Sequence, residues 1–399
     1  MNPKVSIVKC EDYSPENVRA AIKQAVDLLG GMEQFVHPGQ RVLLKPNLLA
    51  AWAPDSGVTT HPAIVEAVIE LAREAGGNCA LGDSPAFGGE SDAAFAKLLT
   101  KCGLSEVLDG MKVEGRRFQT TGPETEIPNA KVFHSIPLTD ALSDADVLIN
   151  LPKLKTHSLC IYTGAVKNLF GCVSGHRKAM FHLQAGDKPE LFAQMLVDLH
   201  KAVKPQLSIM DGVLGMDGAG PSAGRRREFK VVIASSNPVA LDAVACMVAG
   251  FDPEIVPTLR LASEQGLGPI KRDEIEIVGA TPEEVRINDF LLPESGDMFN
   301  RVPKFIFHAF RNQLVLSPRI HRRKCIRCNE CLKICPAQAI RSENKLTFDY
   351  SKCIRCYCCA EVCPREAIYL HAGPLRTVFQ GIQSVRKSIL QILKREASQ

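Results

Sequence analysis

No apolar run in this chain approaches the length needed to cross a bilayer as a helix. The opening residues, MNPKVSIVKCEDYS, lack the basic, apolar and small-residue succession of a secretion signal. Missing too are a GxGxxG that opens a helix after the first strand and any GxxxxGK followed by Ser or Thr. Neither a dinucleotide site nor a P-loop nucleotide site is therefore supported. Acidic residues are absent from one whole stretch. Between Arg301 and Arg327 stand eight Lys or Arg and no Asp or Glu, so a chain of net charge +4 carries −4 elsewhere. Six cysteines (Cys10, Cys79, Cys102, Cys160, Cys172 and Cys246) show no pairing pattern, and without an export signal a disulfide framework is not expected. Together these absences predict a protein of the reducing cytoplasm. A hydrophobic content of 45% and a charged content of 23% describe an ordinary soluble globule.

The other nine cysteines are concentrated between positions 325 and 363. Eight of them form two runs, Cys325-x2-Cys328-x2-Cys331-x3-Cys335-Pro336 and Cys353-x2-Cys356-x2-Cys359-x3-Cys363-Pro364. This is the spacing of bacterial-type ferredoxins with two 4Fe–4S clusters. A tight loop supplies three thiolates to one cluster, and the fourth cysteine of each run crosses to the other. The expected ligand sets are Cys325, Cys328, Cys331 and Cys363 for one cluster, and Cys353, Cys356, Cys359 and Cys335 for the other. CxxC pairs alone would leave zinc open, but the triple spacing followed by Cys-Pro, stated twice, points to iron–sulfur clusters. CIRCNECLKICPAQAI aligns with CIRCYCCAEVCPREAI, so the module is an internal duplication. Cys358, between two ligands, reads as a small apolar-like side chain. Ala339-Ile340 and Ala367-Ile368 are expected to pack apolar atoms against the clusters.

About 55 residues suffice for such a module, which leaves roughly 300 for a sizeable core. Over residues 1–298, segments such as KVSIVKC, RVLLKPNLL, NCALGD, DVLINLPKL, LSIMDGV, FKVVIAS and EIEIVG read as short buried strands. Helical periodicity appears near Pro15–Leu29, Pro62–Ala75, Ser91–Thr100, Pro189–Val203 and Pro238–Ala249, with proline recurring in the first turn. The alternation predicts an α/β domain with a mostly parallel sheet, followed by a small α+β ferredoxin-like domain. The expected boundaries are 1–298 for the α/β domain, 299–320 for a basic apolar linker, 321–372 for the ferredoxin domain and 373–399 for an amphipathic helix. In that last segment Leu375, Val378, Phe379, Ile382, Val385, Ile389 and Ile392 share one stripe. Linker and tail either brace the ferredoxin domain, the favoured reading, or touch an anionic membrane surface or a partner. Nucleic acid is not expected: the only aromatics interleaved with the basic stretch are Phe305, Phe307 and Phe310, and no recognised module is present.

In open α/β sheets, function gathers beyond the carboxyl ends of the strands. Lys45 and Asn47 follow one predicted strand and Thr59, Thr60 and His61 open a helix, while Asp83 and Ser84 end another strand. The densest stretch supplies Lys153, Lys155, His157, Lys167, Asn168, His176, Arg177, Lys178 and His182; Asp211, Asp217, Asn237 and Asp242 follow later. The pattern predicts a cleft in which Lys45, Asn47, Lys153, Lys167 and Asn168 bind an anionic small molecule. Lys155, His157, Asp83 and Asp211 are the candidates for proton transfer or orientation. Two other readings stay open: an additional metal or organic cofactor in the cleft, with His157 and His182 as ligands, and loop lysines that are merely solvated.

LLKPNLL, THPAIVEAVIELAREAG, GDSP, INLPKLKTH, TGAVKNLFG, MDGAGP and NPVALDAVA together resemble the family known as domain of unknown function 362. Members of that family often carry a C-terminal ferredoxin module. The resemblance covers roughly residues 3–280 and implies an architecture and candidate positions rather than a reaction. The rhythm of PKLKTH, KNLFG and a later His182 is loosely similar to the nickel-pincer lactate racemase fold, but nickel is not carried over. The expected function is a ferredoxin-linked oxidoreductase, with electrons passing between the clusters and an anionic molecule in the cleft and a soluble redox protein as partner. The alternative is an electron carrier or assembly factor that docks a partner enzyme without catalysis of its own.

Overall fold

The computed structural model describes residues 2–86, 89, 91–118, 121–173, 176–186, 188–293, 315–342, 345–371 and 373–374. They fall into two compact units, Met1–Pro293 and Glu294–Gln399. Most of the basic linker and nearly all of the amphipathic tail lie outside the described residues. Among the described residues no helix is long and apolar enough to cross a membrane.

The first unit is built on strands β1 (Lys4–Lys9), β2 (Arg41–Pro46), β3 (Asn78–Asp83), β4 (Glu114–Arg117), β5 (Thr121–Glu126), β6 (Ser135–Thr139) and β7 (Val147–Leu151). It continues with β8 (Lys153–His157), β9 (Ile161–Thr163), β10 (Leu207–Asp217), β11 (Arg225–Ser235) and β12 (Glu276–Gly279). Ten of these form one sheet in the order β12-β1-β11-β10-β7-β2-β3-β4, with β8 beside β10 and β9 beside β8. Strands β10, β7, β2, β3 and β4 run parallel, β12 is parallel to β1, and β11 runs against both of its neighbours. The predicted α/β class with a mostly parallel sheet is what the chain adopts.

Helices cover both faces, and the period-2 alternation of strand side chains feeds two cores. On β11, Val232 and Ala234 enter one core while Val231 and Ile233 enter the other. The helices are α1 (Pro15–Asp27), α2 (Pro62–Glu74), α3 (Asp92–Lys101), α4 (Leu104–Met111), α5 (Ala165–Asn168), α6 (His176–Ala185), α7 (Pro189–Ala202), α8 (Pro238–Ala249), α9 (Pro257–Glu264) and α10 (Pro282–Val285). Proline opens six of them, where its missing N–H is harmless. Helix α8 is apolar nearly all round and buried accordingly; Asn237 caps it, Oδ1 accepting from Val239 N at 3.0 Å and Ala240 N at 2.9 Å.

One strand differs from expectation. DVLINLPKL is not continuous, because Pro152 has no N–H to give the ladder and divides it into β7 and β8. Lys153, Lys155 and His157 therefore lie on a strand of their own, at alternate positions that share one face.

The second unit carries β13 (Ser317–Ile320), β14 (Ile340–Ser342), β15 (Leu346–Phe348) and β16 (Ile368–His371), with short helices α11 (Glu330–Ile334) and α12 (Cys358–Glu361). β13 pairs with β16 and β14 with β15, both antiparallel. The duplication read in the sequence recurs in the backbone at an offset of 28 residues. Arg327 and Arg355, Asn329 and Tyr357, and Gln338 and Glu366 all take positive φ, at 55° and 59°, 62° and 63°, and 49° and 48°.

Candidate functional site

The cysteine loops are held by reciprocal ties. His321 N donates to Ala367 O and Asp349 N to Ala339 O, each at 2.7 Å, so each half of the duplication braces the segment after the other's Cys-Pro. In the same segments Ala339 N donates to Cys335 Sγ at 3.3 Å and Ala367 N to Cys363 Sγ at 3.1 Å. Cys325, Cys328, Cys331 and Cys363 line one cavity. The Cys331 thiol is pushed up to about 11 by burial and then by Cys328, Cys363 and Cys325. The Cys359 thiol is raised by burial and then by Cys356, Cys353 and Cys335. The fourth cysteine of each run thus stands with the first three of the other. Sets of sulfur donors with backbone N–H groups aimed at sulfur fit 4Fe–4S binding. Ile340 and Ile368 are buried among these cysteines, and Cys358 is buried with its thiol toward Cys356 O.

In the α/β unit, the polar residues singled out by the sequence converge at the carboxyl ends of β2 and β3 and on β8. Lys45 Nζ donates to Asp83 Oδ1 at 2.8 Å and Pro46 O at 2.9 Å; Asp83 Oδ2 accepts from Leu48 N at 3.1 Å. Asn168 Nδ2 donates to Asn150 Oδ1 at 2.8 Å and Lys45 O at 3.2 Å, and its Oδ1 accepts from Asn47 Nδ2 at 3.3 Å. Lys155 Nζ donates to Val58 O at 2.7 Å and Asn47 Oδ1 at 3.0 Å. Gly171 passes so close that a Cβ there would collide with Asp83 Oδ1 and Lys45 Nζ.

Lys153 belongs to a neighbouring network. Its Nζ, fully buried, donates to Asp211 Oδ2 at 2.7 Å and Tyr13 OH at 2.8 Å. Asp211 also accepts from Tyr13 OH at 2.8 Å and His61 N at 2.9 Å, and the Tyr13 and His61 rings stack at 3.6 Å. Burial pulls the Lys153 ammonium down from its ordinary value, with Asp211 opposing. Nothing in the sequence singles out Tyr13, whose role arises from a partner 198 residues away.

A third group adjoins the first of these networks. Helix α5 is set by Asp242 of α8, which accepts from Ala165 N at 2.6 Å and Val166 N at 3.0 Å; a Cβ at Gly164 would strike that carboxylate. Burial raises the Asp242 carboxyl to about 7. This helix carries Lys167, half-buried and, among the described residues, without a hydrogen bond or ion pair. His157 Nδ1 accepts from Leu159 N at 3.1 Å and Cys160 N at 3.3 Å, so the neutral ring carries its proton on Nε2. Burial depresses His157, with Lys167, Lys155 and His182 adding to the effect. His182 stacks on Phe192 at 4.5 Å and is pushed down to about 3 by burial, then by Lys167 and Lys178. Lys178 is lowered to about 8, chiefly by burial, and donates to Ser84 O. Among the described residues no three His, Cys, Asp or Glu are grouped to hold a single metal ion.

A family model described as domain of unknown function (DUF362) matches residues 42–247, and one described as a 4Fe-4S dicluster domain matches residues 324–367. A thylakoid-associated protein of Synechocystis sp. is 39% identical over 296 residues, which is 74% of this chain and 89% of the relative. Among solved structures, the lactate racemase apoprotein from Thermoanaerobacterium thermosaccharolyticum aligns with a TM-score of 0.39 and 12% identity over 62% of this chain and 57% of its own. A protein from Thermotoga maritima aligns with a TM-score of 0.38 and 15% identity over 64% and 60%. The chain spans less than two thirds of either solved structure.

Proposed function

Because this chain belongs to the DUF362 family and joins that domain to a 4Fe–4S domain, we propose that it fills both cysteine sets with clusters and exchanges electrons with an anionic small molecule in the α/β cleft. The observation that carries the cleft reading is the contrast among its lysines. Lys45, Lys153 and Lys155 spend their ammoniums on buried protein acceptors, whereas Lys167 has no partner among the described residues. An uncommitted, half-buried ammonium beside two neutral imidazoles is suited to a carboxylate or phosphate. In this reading Lys167 holds the anion and His157 offers its Nε2 proton. Lys178, lowered to about 8, exchanges a proton near neutral pH. Lys45, Asn47, Lys155, Asn168 and Asp83 form the frame that fixes α5, and Lys153 with Asp211 fixes β8. The clusters, when bound, supply one-electron chemistry. A reducing, cytoplasmic setting fits the six cysteines of the α/β unit, none of which forms a disulfide among the described residues.

The test uses the anaerobically purified full chain. Iron analysis should give about eight irons, and native mass spectrometry should show a small anion that Lys167→Ala releases while iron stays. Full iron with no anion, bound or bindable from a panel of carboxylates and phosphates, would sink the cleft reading and leave an electron carrier.

A further inference from the structure

The two cysteine loops share their spacing but not their surroundings. In the second loop Arg355, Cys356 and Tyr357 are 2%, 8% and 6% exposed. At the matching positions of the first, Arg327, Cys328 and Asn329 are all exposed, and Cys328 is the only exposed cysteine among the described residues. Beside it Ile326 is 58% exposed, an apolar tip. The charge along this stretch of chain has one sign. Arg322, Arg323, Lys324 and Arg327 are exposed, and residues 315–329 contain no acid. Glu330, the first acid to follow, is half-buried and paired with Lys333 at 3.0 Å.

Resting on the reading that the tetrads hold clusters, we propose that the exposed Cys325–Cys331 loop is the electron port of this protein, and that it docks the acidic face of a soluble one-electron protein. Electron transfer needs close approach of the two centres, and this loop carries the one ligand cysteine that is exposed among the described residues. Its rim of four cations would attract and orient a partner whose own redox centre is ringed by carboxylates. Ile326 offers the small apolar contact at the centre of such an encounter surface. An anionic membrane would meet the same charges, but lipid offers no redox centre to the exposed loop, so the acidic protein is favoured.

The experiment measures, by stopped flow, reduction of the cluster-loaded full chain by a reduced plant-type 2Fe–2S ferredoxin, used as an acidic one-electron probe, and separately by dithionite. At low salt the wild-type rate with ferredoxin should be high and fall steeply with ionic strength. Lys324→Glu with Arg327→Glu should slow it about tenfold or more and flatten the salt dependence, with dithionite reduction and iron content unchanged. Lys352→Glu, an exposed charge reversal beside the buried loop, should change it less than about twofold. Should Arg327→Glu lose iron, Arg322→Glu with Arg323→Glu carries the same test from outside the loop. The proposal is overturned if Lys352→Glu slows ferredoxin as much as the port variants do. It is overturned equally if ferredoxin fails to reduce a wild type that dithionite reduces. A third such outcome is that the port variants lose only binding to phosphatidylglycerol vesicles. A wild type without iron overturns the cluster reading itself, which the iron assay separates from every docking outcome.

Discussion

The four cysteines of one ligand set in the second unit, and four lysines scattered through the first, are both sets of chemically equal residues, yet their roles are decided in different ways. The thiols acquire theirs from local spacing: a CxxCxxC loop fixes three of them, and the duplication supplies the fourth. Lys45, Lys153 and Lys155 acquire theirs from partners far along the chain, and Lys167 acquires its own from having none among the described residues. Lys45 meets Asp83 38 residues away, Lys153 meets Asp211 58 away and Lys155 meets Val58 O 97 away. An ammonium in a cleft is a binding group only if the fold has not already used it. The comparison teaches that ligand chemistry written in spacing is portable, whereas cleft chemistry depends on long-range pairing.

The strongest way to break the comparison is at its local end. Cys325→Ala or Cys353→Ala should each remove at least about half of the iron and bleach the broad visible absorption, leaving the α/β unit folded. Iron content unchanged in both variants would show that the spacing does not define the ligand sets.

The long-range end is tested by stability. Lys153→Ala leaves Asp211 buried without its counter-charge, and breaking such a pair from one side costs about 3–5 kcal/mol. Urea unfolding followed through Trp52, the only tryptophan and a residue of the α/β unit, should show that loss. A loss below about 1 kcal/mol, the range of an exposed ion pair, would mean that Lys153 is not committed and that the contrast with Lys167 is false.

How much of this was legible beforehand follows from the same distinction. The seven predicted strands and five predicted helices are present because apolar runs and first-turn prolines are local signals. β8 as a separate strand was hidden because Pro152 interrupts an apolar pattern without changing it. The convergence of Lys45, Asn47, Asp83 and Asn168 could be anticipated from strand-end positions. Which lysine remains uncommitted could not, because that depends on Asn47, Val58 and Asp211 arriving from other elements. Tyr13 and the stacking of His61 on it left no periodic trace at all.

Titration sharpens the comparison within the first unit. Asp242 has a folded value of about 7 against 3.8, so its favourable contribution is complete below about pH 4 and is lost as pH rises toward 7. A tenfold difference in proton affinity between the folded and unfolded chain is worth about 1.4 kcal/mol, so the loss is at most about 4 kcal/mol. His61 and His200, both lowered to about 4, and His182, lowered to about 3, act in the opposite sense. Their contribution is complete above about pH 6.5 and is lost as pH falls. Asp242→Asn removes the first effect and keeps the second, at a pH-independent cost of one acceptor for the α5 amides. Its urea midpoint should therefore rise more steeply between pH 4 and 7 than that of the wild type. Parallel profiles would show that the carboxyl is ionised throughout and that α5 is held by a full charge.

The smallest stability effect is the most informative. Lys167→Ala removes an ammonium that makes no hydrogen bond or ion pair among the described residues, so unfolding should shift by no more than about 0.5 kcal/mol. Its effect on a bound carboxylate or phosphate should be much larger. A charge-assisted hydrogen bond is worth about 1.5–3 kcal/mol, or roughly 10- to 150-fold in affinity. Lys155→Ala should show the reverse profile, because it strips the acceptors Val58 O and Asn47 Oδ1 of their donor and perturbs the frame first. If instead Lys167→Ala destabilises the unit while anion binding is untouched, the ammonium is structural like the other three. The cleft would then hold no spare positive charge, and the first unit would have to be read as a scaffold for the second.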